Sequence, residues 1–268
     1  MDLGITGRTA LVTGGDSGIG WNTARLLLDE GATVILSDMD EQSLAASAEK
    51  LEAPEGRLHT VTADLSTDEA CQALGARVEE ILDGGSLDIL VHCAGVTGAQ
   101  GLFHEIDDEG WVSTLTTDLL APVRVTRAVL PALRRGGWGR AVFLASEDAV
   151  QPYDDEIPYC SAKAGVLAFA KGLSQTYAGE GLLVNCVSPA FIHTPMTDKM
   201  MERRSKMEDM SFDEAVETFL SDQRPHMELG RRGEPDEVAN VIVFLCSEAA
   251  SFVNGSNYRV DAGSVATI

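Results

Sequence analysis

Apolar runs rich in Val, Ile and Leu recur along the chain and alternate with stretches of helical periodicity. The strand-like runs cover 9–13, 33–37, 57–62, 87–92, 139–145, 183–187 and 257–260. Most are near-continuous, as strands read when helices cover both faces of a parallel sheet. Helical patterns fill 19–30, 41–51, 67–82, 108–134, 159–178 and 235–246. This alternation predicts an α/β fold: a doubly wound parallel sheet of about seven strands with right-handed crossovers. No repeat or linker divides the 268 residues, so a single domain over 1–268 is expected. The stretch 194–230 breaks the pattern, being polar, Met-rich and charged, with one short helix expected near 212–220. It follows a strand end, where ligands bind in open α/β sheets. A mobile lid is therefore expected there, with a solvated insertion as the plainer alternative.

Charge narrows the partners. Asp and Glu number 42 against 20 Lys and Arg, a formal charge of -22, which disfavours nucleic acid and anionic lipid. No apolar run approaches about 18 residues, so no membrane span is expected. The polar start 1–8 leads directly into the first strand and does not read as a signal peptide. The cysteines Cys71, Cys93, Cys160, Cys186 and Cys246 are odd in number and form no CxxC pair. Free thiols in a reducing, cytoplasmic setting are expected, and no metal site.

The first strand runs into Gly14-Gly15-Asp16-Ser17-Gly18-Ile19-Gly20, which opens a helix. Glycines permit positive φ and close backbone approach. The helix start offers free N–H groups and partial positive charge to a pyrophosphate. A tight turn alone would explain a lone glycine cluster; the strand–turn–helix context favours dinucleotide binding. Asp38, at the end of the second strand, lies about 20 residues beyond the glycines, where a carboxylate accepts hydrogen bonds from ribose hydroxyls. It would repel the 2′-phosphate of NADP, and Asp16 adds to that charge. NAD is thus the expected cofactor.

Tyr159 and Lys163 are four residues apart and share a helix face. A tyrosine hydroxyl with pKa of about 10 is a poor base at neutral pH. A nearby ammonium, with an oxidised nicotinamide, would lower it and make Tyr159 a general acid/base. Ser146 follows the 139–145 strand, placed to donate a hydrogen bond to a substrate oxygen. An isolated YxxxK is ordinarily a surface pair; the glycine loop and Ser146 favour the chemical reading.

Together these segments resemble the short-chain dehydrogenase/reductase family over nearly the whole chain. The resemblance rests on Gly14…Gly18-Ile19-Gly20, Ala63-Asp64-Leu65, Ala94-Gly95, Ser146, Tyr159-Cys160-Ser161-Ala162-Lys163, Ser188-Pro189-Ala190…Thr194 and Val260-Asp261-Ala262-Gly263. The stretch 230–263 is similar to the 3-oxoacyl-carrier-protein reductase branch. The resemblance implies a Rossmann-type sheet, with Asp64 and Leu65 at the adenine, and Cys93, Ala94 and Gly95 lining the cofactor. It also implies that Lys163 holds the nicotinamide ribose and that Pro189, Ile192 and Thr194 hold the carboxamide end. A homotetramer packed partly through 108–134 and 159–178 is implied as well.

Some positions depart from the family. Asp118 stands where it carries an Asn that supports a water chain to the lysine, so the expected relay is kept in altered form. His92-Cys93 replaces Asn-Asn, Ala190 follows Pro189 in place of glycine, and Ala262 replaces a second glycine. Cys160 reads as a small filler and His193 as a loop residue. The acidic run Asp154-Asp155-Glu156 either disfavours anionic substrates or is a solvated loop.

The expected function is NAD-dependent interconversion of a secondary alcohol and its ketone. Candidate substrates are a polyol, a cyclic alcohol, a hydroxysteroid or a 3-oxoacyl compound. A 3-oxoacyl-carrier-protein reductase is the alternative within the family, and a non-catalytic NAD-sensing regulator is the alternative outside it. A nucleotide-sugar epimerase shares the glycine loop and YxxxK, but little chain follows 230 to form a sugar-nucleotide domain.

Overall fold

The computed structural model describes residues 2–267. Seven parallel strands, β1 (Thr9–Thr13), β2 (Thr33–Asp38), β3 (Leu58–Thr62), β4 (Ile89–His92), β5 (Gly139–Leu144), β6 (Leu182–Pro189) and β7 (Asn257–Val260), form one sheet in the order 3-2-1-4-5-6-7. Every adjacent pair is parallel, with Leu11 opposite Ile35 on one side and Leu90 on the other. The order reverses between β1 and β4, so the carboxyl ends of these strands flank a crevice.

Successive side chains of a strand point to opposite faces, and here both faces are dry. On one face Leu11, Ile35, Leu90 and Phe143 pack with α3 (Asp68–Leu82), α5 (Ala121–Arg135) and α6 (Ile157–Tyr177) through Leu74, Val129 and Val166. On the other, Val12, Leu36, Val91 and Val142 pack with α1 (Gly18–Asp29), α2 (Glu41–Glu49) and α9 (Pro235–Leu245) through Leu27, Leu44 and Ile242. This is why the strands read as unbroken apolar runs.

The single helix expected over 108–134 is divided. α4 (Asp108–Leu115) meets α5 through a π-helical turn, Thr116–Leu120, that carries buried Asp118. Pro122 has no N–H to reach back to the Asp118 carbonyl, so the ordinary helical bond cannot form there. The 194–230 stretch contains two helices, not one: α7 (Pro195–Glu208) and α8 (Phe212–Gln223). Phe191, Met201, Phe219 and Met227 form a small apolar core of their own beneath these helices. Arg224 Nε donates to Glu147 Oε1 at 2.7 Å, tying the end of α8 to the turn after β5.

Candidate active site

The glycine loop sits at the crevice. Gly14 and Gly18 have φ of +67° and +53°. A Cβ on Gly14 would lie 2.5 Å from the Ala94 nitrogen, and one on Gly20 would lie 2.0 Å from the Gly14 carbonyl oxygen. The loop is thus closed against β4 as far as backbone allows. Gly20→Ala is expected to destabilise the fold by about 1–3 kcal/mol through overpacking. Thermal denaturation checks this, and an unchanged Tm would contradict the packing argument. Ser17 precedes α1 but makes no side-chain cap; its Oγ donates to Asp16 Oδ1 at 2.9 Å. The first-turn N–H groups of α1 are therefore left facing the crevice.

Asp38 ends β2 beside this loop. Its carboxylate accepts from Met39 N at 2.7 Å and Asp16 N at 3.3 Å. Burial pushes its pKa upward, the Met39 N–H opposes that, and the Asp16 charge raises it again. Asp16 in turn accepts from Ser43 Oγ at 2.8 Å. This end of the crevice is acidic on two sides.

One cleft of about 560 Å³ joins these groups to the catalytic candidates. Asp64 and Leu65 line it after β3, Cys93, Ala94 and Gly95 after β4, and Ser146 after β5. Tyr159 and Lys163 line it from α6, and Pro189, Ile192 and Thr194 after β6. Met39, Val96, Thr117 and Met196 also line it and were not singled out from the sequence. Met39 had a readable signal, being the residue that follows Asp38 at the strand exit. Met196 had none, because the first turn of α7 was not anticipated.

Lys163 is 4% exposed, and three features fix its ammonium. Nζ donates to the Leu144 carbonyl at 3.2 Å, lies 3.5 Å from Asp118 Oδ1 and stands 5.4 Å from the Tyr159 ring centre. Asp118 Oδ1 also accepts from Val96 N at 3.1 Å, while its buried Oδ2 has no partner. Burial raises the Asp118 pKa, and Lys163 pulls it back. A Cβ on Gly95 would come within 2.8 Å of Asp118 Oδ1, so only glycine leaves this pair its space.

Around Tyr159 the fold adds groups that oppose ionisation of its hydroxyl. Burial, then the charges of Asp148 and Asp118, hold its pKa well above the ordinary value. A hydrogen bond with Ser146 acts in the opposite direction, while the Lys163 ammonium is paired with Asp118. Without a further positive charge the hydroxyl stays protonated.

The remaining departures are structural in character. His92 shares a hydrogen bond with Thr13 Oγ1 at 3.0 Å, linking β4 to β1. Burial, then Lys163, pushes its pKa down to about 3, so it is neutral. Burial raises the Cys93 thiol to about 12 and the Cys160 thiol to about 11, which leaves both unreactive. His193 lies at the surface, 3.5 Å from both Asp198 and Glu234. Among the described residues no helix is long and apolar enough to cross a membrane.

Comparison with known proteins bears on the same site. A family model described as enoyl-(acyl carrier protein) reductase matches residues 14–265. A 3-oxoacyl-[acyl-carrier-protein] reductase of Thermotoga maritima is 32% identical over 262 residues, covering 97% of this chain and 99% of that one. A D-beta-hydroxybutyrate dehydrogenase of Cupriavidus necator is 31% identical, covering 98% of this chain and 99% of the relative. The structure of L-sorbose reductase from Gluconobacter frateurii, complexed with NADPH and L-sorbose, superposes with a TM-score of 0.93 at 33% identity, covering both chains fully.

Proposed function

The chain belongs to the short-chain dehydrogenase/reductase family of oxidoreductases, and we propose that it interconverts a secondary alcohol and its ketone with NAD as cofactor. The observation that carries this reading is the convergence of Ser146, Tyr159 and Lys163 on the cleft that holds the glycine loop. The cleft fits a dinucleotide: the glycine contacts leave backbone exposed, and the helix start lacks a cap. A nicotinamide dinucleotide bound here would supply the hydride chemistry. The protein's task is to place the substrate and move one proton.

In that task Ser146 Oγ donates to the substrate oxygen. Tyr159 gives its hydroxyl proton to that oxygen in reduction and takes a proton from it in oxidation. Lys163, held by Leu144 and Asp118, supplies positive charge beside Tyr159 and a donor for the nicotinamide ribose. Asp64 and Leu65 would hold the adenine end of the dinucleotide, and Pro189, Ile192 and Thr194 its carboxamide end. NAD in preference to NADP is supported by Asp38 and Asp16, although the L-sorbose reductase relative is complexed with NADPH. A homotetramer is part of the same reading, supported by exposed Val112 and Leu120 along the 108–134 segment. So is a cytoplasmic location, supported by five free cysteines.

Asp118 is proposed as the proton relay behind Lys163. Its charge raises the Tyr159 pKa, so Asp118→Asn lowers it. In alcohol oxidation the phenolate is the base, and activity rises with pH through that pKa. The rising limb should therefore move to lower pH in the variant. A pH–rate profile with both limbs in place and an unchanged rate would sink the relay.

A 3-oxoacyl-carrier-protein reductase is the second reading, supported by the Thermotoga maritima relative. A coupled absorbance screen of alcohols, ketones and 3-oxoacyl thioesters, with NAD and NADP in parallel, separates the two. Turnover of secondary alcohols with NAD supports the first reading, and fastest turnover of thioesters with NADPH supports the second. Binding of NAD without turnover of any compound would favour a cofactor-sensing regulator.

A further inference from the structure

The wall beyond Tyr159 is built largely from acids. Ser146 is followed in one short 3₁₀ turn by Glu147 and Asp148, only 2% and 5% exposed. The Asp148 N–H donates to Ser146 Oγ at 3.3 Å, which places this turn directly against the substrate-activating hydroxyl. Glu156 stands at the N-cap position of α6, three residues before Tyr159, and makes no side-chain cap. The charges of Asp148 and Glu156 both act on Tyr159, and that of Asp148 acts on Glu156. Both carboxyls therefore lie within electrostatic reach of the reacting hydroxyl. Their neighbours Asp154 and Asp155 are exposed, so of the acidic run only Glu156 turns inward.

The nearby cations are already committed. Arg224 stacks on the Tyr153 ring, 3.7 Å from its centre, and gives its Nε hydrogen bond to Glu147. Its Nη2 lies 3.9 Å from Asp148 Oδ1, beyond hydrogen-bond reach. Lys163 pairs with Asp118. Asp148 Oδ1 is left buried with no hydrogen-bond partner. A buried acceptor without a donor is costly, and a ligand that brings a donor relieves that cost. A hydroxyl does so; burial, then Asp148, raises the Glu156 pKa to about 7, so above that pH a carboxylate or phosphate would meet like charge in a poorly screened site.

We infer that Asp148 and Glu156 are specificity-determining residues that accept hydrogen bonds from hydroxyls one or two carbons away from the reacting carbon. They select an uncharged polyhydroxylated substrate, a polyol and its ketose, and reject keto acids. The inference rests on the oxidoreductase reading proposed above and names the substrate class of that same site. It also separates this chain from its hydroxybutyrate dehydrogenase relative, whose named substrate bears a carboxylate.

The test is a matched pair of ketones, 4-hydroxybutan-2-one and 3-oxobutanoate, which differ in carrying a hydroxymethyl or a carboxylate. A ketohexose serves as the fuller ligand. Both small ketones use Tyr159, so any change in its proton affinity cancels in the ratio of their kcat/KM values. The wild type is expected to favour the hydroxyketone by about a hundredfold, and Asp148→Asn and Glu156→Gln each to reduce that ratio by about tenfold. Glu156 lies nearer solvent, so Glu156→Gln keeps the test open should Asp148→Asn fail to fold. An unchanged ratio in the folded variants, or a wild type that prefers the keto acid, overturns the inference. Turnover confined to other ketones, such as steroids or acyl thioesters, also overturns it and leaves the oxidoreductase reading standing. Absence of turnover with every carbonyl and both cofactors overturns that broader reading.

Discussion

Tyr159→Phe is expected to lower turnover by about 10²–10⁴-fold while the protein still binds NADH. The substitution removes one oxygen and keeps the ring, so the packing of α6 against the sheet is preserved. What disappears is the group that exchanges a proton with the substrate oxygen. Ser146 can still polarise that oxygen but cannot protonate it without a base or acid behind it. Steady-state rates together with calorimetric NADH binding check the outcome. A variant that binds NADH and turns over at the wild-type rate would remove Tyr159 from the chemistry and revive the regulator reading.

Asp38→Asn is expected to shift cofactor preference toward NADPH by about 10- to 100-fold in the ratio of kcat/KM values. The side chain keeps its shape, but its single oxygen can keep only one of the two bonds that hold the loop, from Met39 N or from Asp16 N. Its charge is gone, and with it much of the repulsion toward a 2′-phosphate. The ribose hydroxyls lose a charged acceptor at the same time, worth about 1.5–3 kcal/mol. Asp16 remains, so the switch is expected to be incomplete. Initial rates with both reduced cofactors decide it; an unaltered ratio would mean that discrimination lies elsewhere.

How far the sequence carries depends on the range of the interaction concerned. The inner strands were legible because each is dry on both faces, and a run such as Ala10-Leu11-Val12 has few other uses. The glycine loop and Asp38 were legible because one βα unit contains both. The turn at Thr116–Leu120 was missed because apolar spacing does not distinguish a π turn from a helix, although Pro122 marked the lost bond. Helix α7 was missed because its polar residues and scattered methionines make no apolar stripe, it buries Met201 alone, and it announces itself only by the Thr194 cap and Pro195. The acidic surroundings of Tyr159 were hidden for a different reason. Lys163 is adjacent along the helix, while Asp118 and Asp148 reach the tyrosine only through the fold. The Arg224–Glu147 pair, 77 residues apart, is another contact that no local pattern reveals.

The most direct measurement of the central claim is the kcat/KM of the wild-type protein with NADH and with NADPH, taken on whichever ketone the absorbance screen shows to be turned over. The account predicts reduction with NADH favoured by about tenfold or more. Faster reduction with NADPH would contradict the role of Asp38, and failure of both cofactors to support reduction of any carbonyl would contradict the oxidoreductase reading itself.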